Sequence, residues 1–130
     1  TPVRLAIARS GKVQRLHLTE REGSWLNENG EELTVVRGCI DVDIWPTPFT
    51  NSLPIRRLQL MEGERQQIQV VYINGLELSV EKAVQAYTRT SHQSFKFEAV
   101  GTEFSTELKV DERGLVLEYP GLFKRIGAHD

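Results

Sequence analysis

Turn signals recur so often along this chain that only short elements fit between them. Ser10-Gly11, Asn29-Gly30, Glu62-Gly63, Asn74-Gly75 and "DERG" (Asp111 to Gly114) each place a glycine where a tight reversal favours positive φ. The segments between them carry the period-two alternation of half-buried strands. "VRLAIA" and "VQRLHL" flank Ser10-Gly11 as a hairpin. "LTVV" reads as a strand after Asn29-Gly30. "QIQVVYI" and "LELSV" flank Asn74-Gly75 as the clearest hairpin, with Leu76, Leu78 and Val80 expected on a buried face. "VEKAVQAY" has helical spacing of apolar residues, but nothing caps a helix there and "AYTRT" continues β-rich, so strand is the expectation. "SFKFEAV", "EFSTELKV" and "GLVLEYPGLF" complete an antiparallel meander. These observations predict an all-β domain with little or no helix: a curved antiparallel sheet, β-roll or partly open barrel.

The 130 residues suit a single domain with one core. Hydrophobic content of 39% excludes a disordered chain, and a net charge of −2 leaves no basic footprint for nucleic acid. One cysteine, Cys39, cannot close an internal disulfide, so a disulfide scaffold is excluded and a cytoplasmic location is expected. Its place at a strand start suggests a buried, inert thiol. The three histidines are scattered, which gives no zinc spacing, and no phosphate-binding glycine motif occurs. No metal, cofactor, nucleic-acid partner or membrane span is expected, and a homodimer stays open.

One stretch departs from this plain β pattern: "GCIDVDIWPTPFTNSLPIRR", Gly38 to Arg57. Alternation puts Ile40, Val42 and Ile44 on one face and Asp41 and Asp43 on the other. Two carboxylates sharing a face repel unless a cation, a shared proton or an arginine lies between them. Arg56 and Arg57 follow a loop stiffened by Pro46, Pro48 and Pro54. Three readings stand open: an Asp–Arg network that anchors the loop, a polar ligand site, or a pair of acids acting as general acid and base. The last would make the chain a hydrolase using Asp41 and Asp43, although no catalytic residue is assigned. Trp45 and Phe49 either enter the core or line a pocket mouth, and Asn51 is a candidate turn cap.

The blocks "GCIDVDIWPTPFTNSLPIRRL", "VVYINGLELSVEKAVQAYTR" and "ELKVDERGLVLEYPGLFKRI" together resemble, in order and spacing, a bacterial family described as "putative glycolipid-binding". The similarity covers Gly38 to Ile126. It implies a spiral β-roll and binding of a glycolipid or other lipid-like molecule. It also implies further strands ahead of the segment matching Thr1 to Val36, so the 1–130 domain is expected to be part of a larger one. Residues matching the family blocks include Asp41, Asp43, Phe49, Asn51, Arg56, Arg57, Tyr87 and Arg89. Trp45-Pro46 departs from the small residues usual there. With Trp45 as a candidate for the pocket mouth, the expected ligand-binding set is Asp41, Asp43, Trp45, Phe49, Asn51, Arg56, Arg57 and Arg89. A structural or assembly module without ligand is the remaining alternative.

Overall fold

The structure, a computed structural model, describes residues 2–9, 12–45, 48–120 and 123–124; the side chains of 2, 5–9, 12, 48–49 and 123–124 lie outside the description. Strand outweighs helix, 56% against 11%, as the density of turn signals predicts. Among the described residues ten strands form two hydrogen-bonded sheets. The first has the order β1 (Pro2–Arg9), β2 (Lys12–Arg21), β3 (Ser24–Leu26). The second runs β10 (Phe123–Lys124), β9 (Val116–Tyr119), β8 (Ser105–Val110), β7 (Ser94–Ala99), β6 (Ser79–Ser91), β5 (Arg65–Asn74), β4 (Asp41–Trp45). The chain divides into two compact units, Thr1–Trp45 with Gln69–Lys82 and Pro46–Ile68 with Ala83–Asp130.

In the first unit, the expected β1–β2 hairpin forms, with Arg9 opposite Lys12 across the Ser10-Gly11 position, which is outside the described residues. A second tight hairpin joins β2 to β3 through Glu22 and Gly23, both at positive φ (53° and 85°), the conformation that matches strand twist. Leu18, Trp25, Val36, Cys39, Val71 and Ile73 make the buried core of this unit, with Val42, Ile44 and Val80 packed against it. The Trp25 indole donates to the Cys39 carbonyl at 2.9 Å, so the one polar group of that ring has a partner in the core.

Two local expectations fail here. "LTVV" is not a strand: Thr34–Val36 is a 3-10 turn, held by Val36 N–H to Leu33 O and Arg37 N–H to Thr34 O, both 3.2 Å. Its approach to a ladder stops at one isolated bridge, Leu26 to Glu32, so local i→i+3 bonds satisfy the backbone instead. Nor do Leu76 and Leu78 share a buried strand face with Val80. The Asn74 side chain accepts from Leu76 N (2.9 Å) and Glu77 N (3.2 Å), which coils residues 75–78 into a turn. Leu78 sits at φ 56° and Leu76 is exposed. β4 pairs with β5 in parallel, Asp41 opposite Val70 and Trp45 opposite Asn74.

In the second unit, β6, β7, β8 and β9 form the expected antiparallel meander. Strand is right for "VEKAVQAY", which falls within β6. Tyr87, Phe95, Phe97, Leu108, Val110 and Val116 are buried. The part read as a proline-stiffened loop contains a 3-10 turn, Pro48–Asn51, and a helix, α1 (Ser52–Leu58). Pro54 is compatible with α1 because it falls in the first turn, where its missing N–H has no intrahelical acceptor to lose. α1 buries Ser52, Pro54 and Ile55 and exposes Leu53, Arg56 and Arg57. Gln59 stops it in the left-handed conformation, φ 49°.

Candidate functional site

Three connections of the second unit's meander and helix gather at one end of its strands. α1 returns to β5 through the Glu62-Gly63 turn, where Gly63 N–H donates to Arg89 O (2.7 Å) and Arg89 N–H to Glu64 O (3.0 Å). The β6–β7 turn around His92 and the β8–β9 turn from Asp111 to Leu115 lie at the same end, since alternate turns of a meander must. They border a cleft of about 570 Å³. That volume is within the range of small-molecule sites, about 300–1,000 Å³.

The floor of this cleft is apolar: Ile55, Leu60, Phe95 and Val110 contribute, and all are buried. Its rim is charged and richer in cations than in anions: Arg56 from α1, Arg89 from β6 and Arg113 from the β8–β9 turn stand beside Asp111, Glu112 and His92. Met61, 69% exposed, adds an apolar edge.

Arg89 is the most constrained of these groups. Its guanidinium donates to three backbone carbonyls, Leu60 O at 2.9 Å, His92 O at 2.7 Å and Ser91 O at 3.2 Å. It also lies over the Phe95 ring, 5.4 Å from the centroid. Arg89 thus ties the end of α1 to the β6–β7 turn. The Asp111 carboxylate closes the neighbouring turn, accepting from Arg113 N (2.9 Å) and Leu115 N (3.0 Å). Gly114 at φ 82° completes it, and a Cβ there would stand 2.8 Å from Arg56 Cγ. The stem of Arg56 therefore rests directly against a turn that only glycine leaves open.

Behind the cleft, the residues ahead of α1 are fixed to the sheet. Asn51 does not cap the helix through its side chain; its amide donates to Tyr87 Oη at 2.9 Å, both groups buried. Ser52 Oγ accepts from Val116 N at 3.0 Å. Tyr87 stacks edge-on to Phe97 (centroids 5.3 Å), and Phe97 contacts Phe104 and Tyr119, which lie nearly parallel to each other at 16°. Phe104 precedes β8 and is exposed, so this aromatic series runs from the core to the surface.

The expected site residues are divided between the two units. Arg56 and Arg89 line one cleft, Asn51 bonds to Tyr87 without lining it, and Arg57 is exposed on α1. Asp41, Asp43 and Trp45 belong to the first unit. There Asp41 is buried, Asp43 half-buried, and Trp45 partly exposed at the end of β4. As expected, the two aspartates oppose the face of Val42 and Ile44 that packs on the core. Ile40 lies ahead of β4 and is 65% exposed, so it does not share that face. Asp43 pairs in register with Tyr72, whose phenol is pushed upward by burial first and then by the carboxylates of Asp43 and Glu81. The side chain of Phe49 is outside the described residues. Cys39 is fully buried, and burial raises its thiol; the Asp41 carboxylate adds to this and Lys82 opposes it.

His92, Met61, Arg113 and Gly114 were not expected at a site. The available signal was topological: once a meander is accepted, the turns at His92 and "DERG" fall at the end where Arg89 emerges. Among the described residues no group of three or more His, Cys, Asp and Glu could hold a metal ion, and no helix is long and apolar enough to cross a membrane.

A mostly-β chain with a cleft that has an apolar floor and an arginine-bearing rim is the class this geometry defines. The chain belongs to the family described as "Putative glycolipid-binding", whose pattern matches residues 1–125. It is similar to a DUF1089 family protein from Pseudomonas aeruginosa known from a crystal structure, at 44% sequence identity and a TM-score of 0.84. The match covers 90% of this chain and 65% of that one, so the chain spans less than two thirds of its relative's length. No curated protein matches it.

Proposed function

We propose that this chain binds an amphipathic ligand of the glycolipid class in the cleft of its second unit. The observation that carries this reading is the division of that cleft into a buried apolar floor and an exposed rim of N–H donors. Ile55, Leu60, Phe95 and Val110, with the exposed Met61 at the edge, suit a hydrocarbon chain, since contact there would take the chain's own apolar surface out of water. Arg56, Arg113 and the remaining N–H groups of Arg89 suit the oxygens of a head group, because guanidinium donors are planar and carry charge. The family's name supports the same class of ligand.

The part of the Gly38–Arg57 signature that lies in the second unit both supports this site and lines it. Asn51 and Ser52 hold the start of α1 to β6 and β9, and Ile55 and Arg56 then reach the cleft from the helix.

The test is calorimetric titration of a short-chain monomeric glycolipid, such as an alkyl glucoside below its micelle concentration, into wild type and Met61→Asp. Met61 is exposed, so the variant keeps its melting temperature. A carboxylate at the apolar edge should weaken binding about tenfold, the equivalent of about 1.4 kcal/mol. Equal affinity in the two proteins would place the ligand elsewhere and overturn the reading.

A further inference from the structure

We infer that the ligand taken by this cleft is anionic at its head, bearing a phosphate or comparable oxyanion that the arginines of the rim would grip; this rests on the amphipathic-ligand reading above. Three guanidiniums from three different elements, Arg56, Arg89 and Arg113, line the same cleft. Among the described residues none of the three forms an ion pair with a carboxylate, whereas Arg37 and Arg65 in the same chain do. The acids that share the cleft are Asp111 and Glu112. One carboxylate oxygen of Asp111 accepts two backbone N–H groups of its own turn, and Glu112 is exposed at the edge.

Arg89 makes the strongest case. Three of its five N–H donors go to neutral carbonyls, which fix the guanidinium plane without neutralising its charge. Phe95 supports one face. A half-buried cation held this way, with two N–H groups left, is pre-organised for an oxyanion, which would accept both. Nothing about a neutral sugar requires this arrangement, since hydroxyls bind as readily to uncharged donors. Gly114 adds a second constraint: the missing Cβ lets the Arg56 stem lie against the turn that presents Arg113.

The experiment compares three probes by calorimetry: monomeric dihexanoyl phosphatidic acid, a neutral alkyl glucoside, and inorganic phosphate. The inference expects the phosphatidic acid to bind at least about tenfold more tightly than the glucoside, with affinity falling as salt is raised. Arg56→Gln and Arg113→Gln, both at exposed positions, should each remove about tenfold of that affinity and weaken glucoside binding much less, since a neutral head group loses a donor and no charge. Equal binding of the acidic and neutral amphiphiles, indifferent to salt and to both variants, would overturn the inference and leave the amphipathic reading standing. Inorganic phosphate as tight as phosphatidic acid would support the anion chemistry, assign it to a free anion, and overturn the amphipathic reading. No binding of any probe would overturn both.

Discussion

The Asn51 amide donates to the Tyr87 hydroxyl at 2.9 Å across 36 residues of sequence, in a place where both side chains are almost wholly buried. This bond, with Ser52 Oγ to Val116 N, sets where α1 begins and hence where its arginine reaches the cleft. Tyr87→Phe removes the acceptor and leaves a buried amide N–H without it. Urea unfolding should show a loss of about 1–3 kcal/mol with little change in denaturant slope. Asn51→Ala combined with Tyr87→Phe should cost less than the sum of the single changes, because the two share one interaction.

Arg89 holds three carbonyls from two connections, and lysine cannot reproduce that fork. Arg89→Lys should destabilise by about 1–3 kcal/mol in urea unfolding, and native-state hydrogen exchange should accelerate at Gly63 and around His92 before it does at Leu108. Uniform acceleration across the meander would contradict a local tie.

Gly75 has ordinary φ, so its requirement is spatial. A Cβ at this position would lie 2.8 Å from the Trp45 carbonyl oxygen, which accepts the Gly75 N–H at 2.8 Å. Backbone must move to admit it. Gly75→Ala should lower stability by about 1–3 kcal/mol, the cost of overpacking, despite the usual gain when alanine replaces glycine.

Tyr72 and Cys39 give the first unit an alkaline dependence whose sign is fixed. Both pKa values rise on folding above their ordinary 10.0 and 9.0, chiefly through burial. The folded state holds these protons more tightly than the unfolded state. Their contribution is complete below pH 9, then declines as pH climbs toward the raised folded values. Tyr72→Phe should therefore show a shallower loss of stability above pH 10 than wild type. At neutral pH, Cys39 should react with a thiol-specific reagent only on denaturation.

Strand content was legible because turn residues and alternation act within a few residues of each other: "VRLAIA", "SFKFEAV" and "VQAYTRT" are strands as read. "LTVV" misled because β-propensity needs a partner strand, and the single bridge, Leu26 to Glu32, stops just ahead of Leu33. α1 was hidden by its proline, which reads as a breaker unless the helix start is already known. Leu76 and Leu78 misled because an asparagine side chain, and not strand pairing, organises their turn. The site was legible only in part. Arg56 and Arg89 stood out in the matching blocks, while His92 and Arg113 are marked only by which end of a meander their turns occupy.

The central claim, that an amphipathic ligand sits in the cleft between α1 and the turns at His92 and Arg113, is tested most directly by nitrogen-15 NMR of the whole chain titrated with a monomeric alkyl glycolipid. A ligand held there gives saturable shifts concentrated at the amides of Leu60, Met61, His92, Arg113 and Gly114, with Val71 and Ile73 of the other unit unmoved. Shifts centred instead on Asp41, Asp43 and Trp45, or none at saturating ligand, would contradict it.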